Sequence, residues 1–335
     1  MSMISLKHIA RDLDVSISLV SKVLSGNLGN TGVRPQLQEA IRQRAAKLGF
    51  QRNTSALALR KGRHNVIGVL VHRLGMTGSG IIEDLLDGLS SAALHNRQRL
   101  VLSFFKTAVE FKGIADMTHR AAVDGVIVAG IRHTELEKNL LTLSKGGIPI
   151  VTVHEEPLNS RFVNIGIDQV AVTKLATQHL IDRGCRRIVH ISNVSRRRQG
   201  YLDALAANKL HPEKYWVFEV PAEYSFSHTA GEMAVKNFID NRVDFDGLVA
   251  QSDQEAAGAI NALFKAGRRV PEEVRVIGVD NAPYCEFSRI PISSVSQEFK
   301  QRGALAIKAI LDKIEGRPVP LANIPPVLVM RDSTR

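Results

Sequence analysis

The spacing of apolar positions changes character near residue 65. Before it, Leu6, Ile9, Ala10 and Leu13 recur with a helical period, followed by Val15, Leu19, Val20 and Val23, and then by Leu37, Ala40, Ile41, Ala45 and Leu48. The spacing predicts three helices that share one small core, and a fourth short helical stretch, "NTSALALR", at 53–60. Only Asp14 to Ser16 separate the first two helices, which leaves room for a tight turn, and Ser16 is a good N-cap for the second. Two helices joined in this way make a helix-turn-helix. A Gly- and Asn-rich loop spans Ser25 to Val33, Pro35 suits the first turn of the third helix, and "LGF" at 48–50 closes it.

From Val66 onward, short β-branched runs alternate with amphipathic helical stretches. VIGVLV (66–71), RLVLSF (99–104), GVIVAG (125–130), IPIVTV (148–153), VNIGI (163–167), RIVHIS (187–192), YWVFEV (215–220), DGLVA (246–250) and VRVIGV (274–279) are the strand candidates. Continuous apolar runs between helices indicate parallel strands covered on both faces. The expected class is α/β, doubly wound. Nine strands exceed one comfortable sheet, so two similar subdomains dividing near Phe162 are expected.

At 335 residues and 44% apolar composition the chain can bury several cores. It has no run of eighteen apolar residues, and MSMISLKHIARDL lacks the order of a secretory signal, so a cytoplasmic protein without a membrane partner is expected. Cys185 and Cys285 stand alone, without a disulfide framework or metal-ligand spacing. Charge alters the picture more. Residues 1–63 hold eleven Lys and Arg against Asp12, Asp14 and Glu39, which places +8 of the net +11 on the helical head. So concentrated a basic segment marks a polyanion-binding surface. The helix within "DVSISLVSKVL" sharpens this, because Ser16, Ser18, Ser21 and Lys22 face away from the side formed by Val15, Leu19, Val20 and Val23.

No catalytic motif survives inspection: GxSxG, GxxxxGK[ST], HExxH and a GxGxxG after the first strand are all missing. Enzymatic chemistry, a cofactor and a metal are therefore not expected. Doubly wound halves bind small ligands outside the carboxyl ends of their strands, where Arg73, Asp168, Arg197, Asp253 and Asp280 fall.

Six segments in order, "LKHIARDLDVSISLVSKVL", "LGFQRNTSALALR", "IDQVAVTKLATQHLIDRGCRRIVHIS", "RRQGYLDAL", "DQEAAGAINALFKAGRRVPEEVRVIGVDN" and "ISSVSQEFKQRGALAIKAIL", resemble the lactose-repressor/galactose-repressor family of bacterial transcription regulators over essentially the whole chain. The resemblance implies a helix-turn-helix DNA-binding domain at 1–50 and a hinge helix with linker at 51–63. It also implies a periplasmic-binding-protein-like core, with one subdomain from 64–162 plus 293–323 and the other from 163–292 plus 324–335. In such regulators Ile17, Ser18 and Lys22 would meet base edges in the major groove, with Ser16 and Ser21 on phosphates. Asn53, Ala56 and Leu59 fall on the hinge, where Leu59 would enter the minor groove. Arg197 and Asp280 match effector-binding positions, and Asp253 matches the aspartate of an "NDxxAxG" motif. Phe226 stands where relatives stack an aromatic ring on the ligand.

The chain departs from the family pattern at Asp14 (usually Gly), Arg34 and Leu37-Gln38 (usually Ser and Thr-Arg), Gln251 (usually Asn) and Cys185 (usually His). These departures unsettle the usual phosphate contacts of the third helix, leaving Arg34, Arg42 or Arg44 as candidates. The implied function is a repressor that binds a pseudo-palindromic operator in double-stranded DNA as a homodimer. Its small-molecule effector would be a sugar, sugar acid or sugar phosphate, with a purine as the alternative within the family. A sugar-binding transport receptor is the rival from another class, and it predicts a signal peptide and no basic head. An enzyme using the cleft is the second rival.

Overall fold

The computed structural model describes residues 4–26, 28, 32–50, 63–72, 80–120, 123–130, 134–154, 157, 160–213, 215–320 and 324–335. The stretch 53–60, including Asn53, Ala56 and Leu59, and Arg73 lie outside the described residues. The chain divides into two units, residues 1–64 and 65–335.

In the first unit α1 (Leu6–Asp12), α2 (Ile17–Ser25) and α3 (Pro35–Lys47) enclose a core in which Ile9, Val20 and Ile41 are fully buried, packed by Ala10, Val23 and Ala45. Ser16 caps α2 as expected, its Oγ accepting from the Leu19 amide at 3.1 Å, and Gly26 ends the helix at φ +68°. The turn between α1 and α2 places Asp14 at φ +47°, a left-handed position. Glycine takes up that conformation without steric cost, which gives a physical reason for the family's usual residue there.

The second unit carries two sheets. The first contains β1 (Val66–His72), β2 (Arg99–Phe105), β3 (Gly125–Ala129), β4 (Ile150–Val153) and β5 (Val163–Asn164), all parallel, in the order β2-β1-β3-β4-β5. Helices α4 (Ile81–His95), α5 (Ala108–Arg120) and α6 (Thr134–Lys145) make its crossovers. The second contains β6 (Ile188–Ile191), β7 (Val217–Phe218), β8 (Gly247–Ala250), β9 (Arg275–Val279), β10 (Ser293–Ser296) and β11 (Val327–Val329), in the order β11-β10-β9-β8-β6-β7. Only β11 runs antiparallel to its neighbour. Its helices are α7 (Gln169–Asp182), α8 (Ser195–Ala207), α9 (His228–Asp240) and α10 (Asp253–Lys265).

The expected doubly wound architecture is present, with local differences. YWVFEV forms a strand only at Val217–Phe218, after Tyr215 turns at φ +69°. VNIGI pairs only at Val163–Asn164, and this pairing carries the first sheet two residues past the expected division at Phe162. β10 and β11 were not anticipated. β10 joins the second sheet, so the chain crosses back at 297–298, a few residues later than expected, and then forms α11 (Phe299–Ile314). α11 packs against α4 through glycines: a Cβ on Gly88 would stand 1.9 Å from the Lys300 carbonyl oxygen, and one on Gly303 would stand 2.5 Å from that of Leu85. Any side chain at either site would force the helices apart. The chain then returns to the second sheet, where Asp332–Thr334 forms a 3-10 turn. Ser333 Oγ donates to the Val276 carbonyl at 2.6 Å, and Thr334 Oγ1 lies 2.8 Å from His179 Nε2.

Candidate functional site

Two surfaces carry polar chemistry, one in each unit. On the head, α2 buries Val20 and Val23 and turns Ile17, 44% exposed, together with Ser18 and Lys22 to solvent, while Ser21 is half-buried. α2 contains no acid. The Ser16 hydroxyl is engaged in capping α2, and Arg34 is exposed at the N-cap of α3. Arg44 is otherwise engaged. Its Nε donates to Asp12 Oδ2 at 2.9 Å and its Nη2 lies 2.5 Å from the same oxygen, which ties α3 to α1. Arg42 is also in contact within its own helix, with Gln38 at 3.3 Å and Glu39 at 3.8 Å. Arg34, by contrast, is exposed and makes no side-chain capping bond to α3.

In the second unit the polar residues gather at the carboxyl ends of β6, β8, β9 and β10. Arg197, on α8, is 1% exposed. Its Nε donates to Gln169 Oε1 at 2.7 Å and its Nη1 to the main-chain carbonyl of Gln251. Gln169 Nε2 donates to Gln297 Oε1 at 2.7 Å, and Gln297 Nε2 donates in turn to Asp280 Oδ1 at 2.5 Å. Arg197 and Asp280 therefore belong to one buried chain of hydrogen bonds, in which Gln169 and Gln297 are the links. Asp280 has φ +109° and Asn281 φ +58°, so the backbone is strained at the end of β9.

A second branch leaves from Gln251. Its Oε1 accepts from Ser192 Oγ at 3.1 Å and from the Asn193 amide at 2.9 Å, and its Nε2 donates to Glu255 Oε1 at 2.8 Å. Glu255 is fully buried, and burial pushes its carboxyl up to about 7, against the opposing pull of its hydrogen bonds to Gln251, Ser252 and the Phe226 amide and of the nearby Arg197 charge.

The expected site residues separate. Arg197 and Asp280 come together through the glutamines, and Phe226 is connected to them by way of Glu255 and Gln251. Asp253, expected at the ligand, is held within the fold. It is 1% exposed, and its oxygens accept from Ser294 Oγ at 2.6 Å and the Ala282 amide at 2.7 Å, so it braces the turn after β9. Burial pushes its carboxyl up to about 6. Asp168 caps α7 by accepting from the Val170 amide at 2.9 Å and pairs with the exposed Arg196 at 3.3 Å. Among the three consecutive arginines, Arg197 alone is buried. Gln169, Glu255 and Gln297 were missed. For Glu255 a signal existed, since it shares a helical face with Ala259 and so places a charge on an apolar stripe.

A periplasmic binding protein-like domain matches residues 177–334. The HTH-type transcriptional regulator CelR of Thermobifida fusca is 26% identical over 326 residues, covering 93% of this chain and 92% of its own. The ribose operon repressor of Halalkalibacterium halodurans is 24% identical over 349 residues, covering 99% and 98%. Among solved structures, a lac repressor dimer bound to operator and the anti-inducer ONPF superposes with a TM-score of 0.82 at 19% identity, covering 99% of both chains. Head and core are thus matched together along their full length. Along its full length the chain is similar to regulators of the lactose-repressor/galactose-repressor type. Its relatives are transcription regulators rather than enzymes. Among the described residues, no helix is long and apolar enough to cross a membrane, and no cluster of side chains suits a metal ion.

Proposed function

We propose that this regulator is a repressor that binds a two-fold symmetric operator as a homodimer and changes its DNA affinity when a sugar-like metabolite occupies the cleft between its core subdomains. The observation that carries the reading is the exposed, acid-free face of α2, with Ile17, Ser18 and Lys22 held out by a preformed three-helix core. Lys22 can donate to guanine O6 or N7, Ser18 can contact several bases, and Ile17 suits a thymine methyl. Arg34 and Ser21 supply phosphate contacts, and the hinge residues Asn53, Ala56 and Leu59 act in the minor groove. Two-fold DNA calls for two-fold protein.

For the effector, the Arg197–Asp280 chain offers charged donors and acceptors suited to a hydroxyl-rich molecule, with Phe226 against its apolar face. A relative named for the ribose operon and the solved CelR–cellobiose complex, TM-score 0.72 at 24% identity, point the same way. The test has two arms. Selection of the full chain against random duplexes should return a symmetric motif, whose binding weakens steeply between roughly 50 and 200 mM salt. A thermal-shift screen of sugars, sugar acids, sugar phosphates and purines should return a sugar-class hit. Retention that ignores both sequence and salt would overturn the DNA reading. A hit confined to purines would move the effector class alone.

A further inference from the structure

We propose that Glu255 is the positioning residue for Phe226, its buried carboxylate fixing the main-chain bend of the 221–227 loop and thereby the ring that selects the effector. The inference rests on the effector reading above. Phe226 has φ +55°, a left-handed conformation that a bulky residue adopts only when its surroundings impose it. In this bend its amide donates to Glu255 Oε1 at 3.1 Å. A second tether lies one residue earlier, where Asn193 Nδ2 donates to Ser225 Oγ at 2.5 Å.

Glu255 has no packing reason to be charged, because Ala259 and Leu263, one and two turns further along its face of α10, are apolar and buried. Only one of its oxygens serves its own helix. It stands third after the cap Ser252, the place from which a capping-box glutamate turns back to the cap amide. Here Oε1 accepts from the Phe226 amide and Gln251 Nε2, and Oε2 accepts from Ser252 Oγ at 2.9 Å. A buried carboxylate is costly unless hydrogen-bonded, and this one takes its donors from the helix cap, the end of β8 and the loop. Of the three, the Phe226 amide alone lies outside the segment 251–255, so the loop is what the carboxylate adds to the local fold.

The experiment is amide hydrogen exchange on the full, ligand-free chain, resolved at Phe226, with strands β8 and β9 as internal controls. Glu255→Met removes the acceptor and should speed exchange at Phe226 at least tenfold while the controls hold. Glu255→Gln keeps an oxygen for that amide and should stay within about threefold of wild type. Wild-type protection in Glu255→Met, or equal loss in both variants, would overturn the proposal. If Glu255→Met fails to fold, Glu255→Asp, which keeps the charge but withdraws it by one methylene, should speed exchange at Phe226, and unchanged exchange there overturns it equally. Because exchange is read without ligand, a cleft that binds no sugar would defeat the effector reading and leave this result standing.

Discussion

Gln169 and Gln297 are separated by 128 residues, yet their side chains meet at 2.7 Å, each at the point where the chain passes from one subdomain to the other. One link joins Arg197 to Gln169 and the other joins Asp280 to Gln297, so the two crossings and the two charged groups form a single unit. Such a unit is vulnerable at its middle. Gln297→Leu would strip partners from the buried Gln169 amide and the Asp280 carboxylate, and should destabilise the core by about 3 kcal/mol. Urea unfolding followed by circular dichroism checks it. An unchanged midpoint would show that the link contributes nothing.

Arg196 and Arg197 are chain neighbours with opposite fates. Arg197→Met empties a buried donor from beside Gln169 and the Gln251 carbonyl, and should lower stability by about 2–4 kcal/mol. Arg196 is exposed beside Asp168, and Arg196→Ala should stay within about 0.5 kcal/mol of wild type. Similar losses in the two variants, measured by thermal unfolding, would contradict the assignment of the buried arginine.

Protonation gives a third expectation. Glu255 rises from an ordinary 4.5 to about 7, with burial the first cause, opposed by its hydrogen bonds and the Arg197 charge. Between these values the folded state holds more protons than the unfolded chain, so this group's contribution to stability falls as pH rises from about 4.5 to about 7 and is flat above. Asp253, raised from 3.8 to about 6, acts in the same direction over a slightly lower window. The stability of wild type relative to Glu255→Gln should therefore decline across pH 4.5–7. Urea denaturation of both proteins over that range tests it, and a rising difference would reverse the sign of the argument.

On the head, Asp14→Gly should relieve the left-handed turn between α1 and α2, stabilising it by about 1 kcal/mol. It also removes one of three acids from the basic head, so the full chain should bind duplex DNA more tightly at low salt. Fluorescence anisotropy titration decides this. Weaker binding would mean that the Asp14 carboxylate is itself a DNA contact.

Legibility in the sequence followed physical locality. The head was readable because its caps, turn and apolar period all lie between Leu6 and Phe50, and the same holds for β1, whose continuous apolar run reports burial on both faces. β10 was not, because "SSVS" owes its burial to neighbours distant in sequence: Ser293 lies beside Ser333 and Thr334, and Ser294 beside Asp253. The site divides the same way. Arg197 and Asp280 could be placed by resemblance, but Gln169 and Gln297 look like surface residues until the fold brings two crossings together. The partners of Asp253 were illegible for a related reason, since a carboxylate at a strand end meets a ligand or a neighbouring turn depending on what the fold delivers, and here Ser294 and the Ala282 amide are delivered.

The edge of the second sheet has a consequence for how the protein is made. β10 is sealed by β11 and by the 3-10 turn at 332–334, whose Ser333 and Thr334 reach Val276 and His179. Translation delivers these residues after every other strand of the second sheet. Until they emerge, a ribosome-bound chain presents a bare serine-rich edge and an uncovered His179, while the three-helix head, encoded far upstream, already has every residue of its own core.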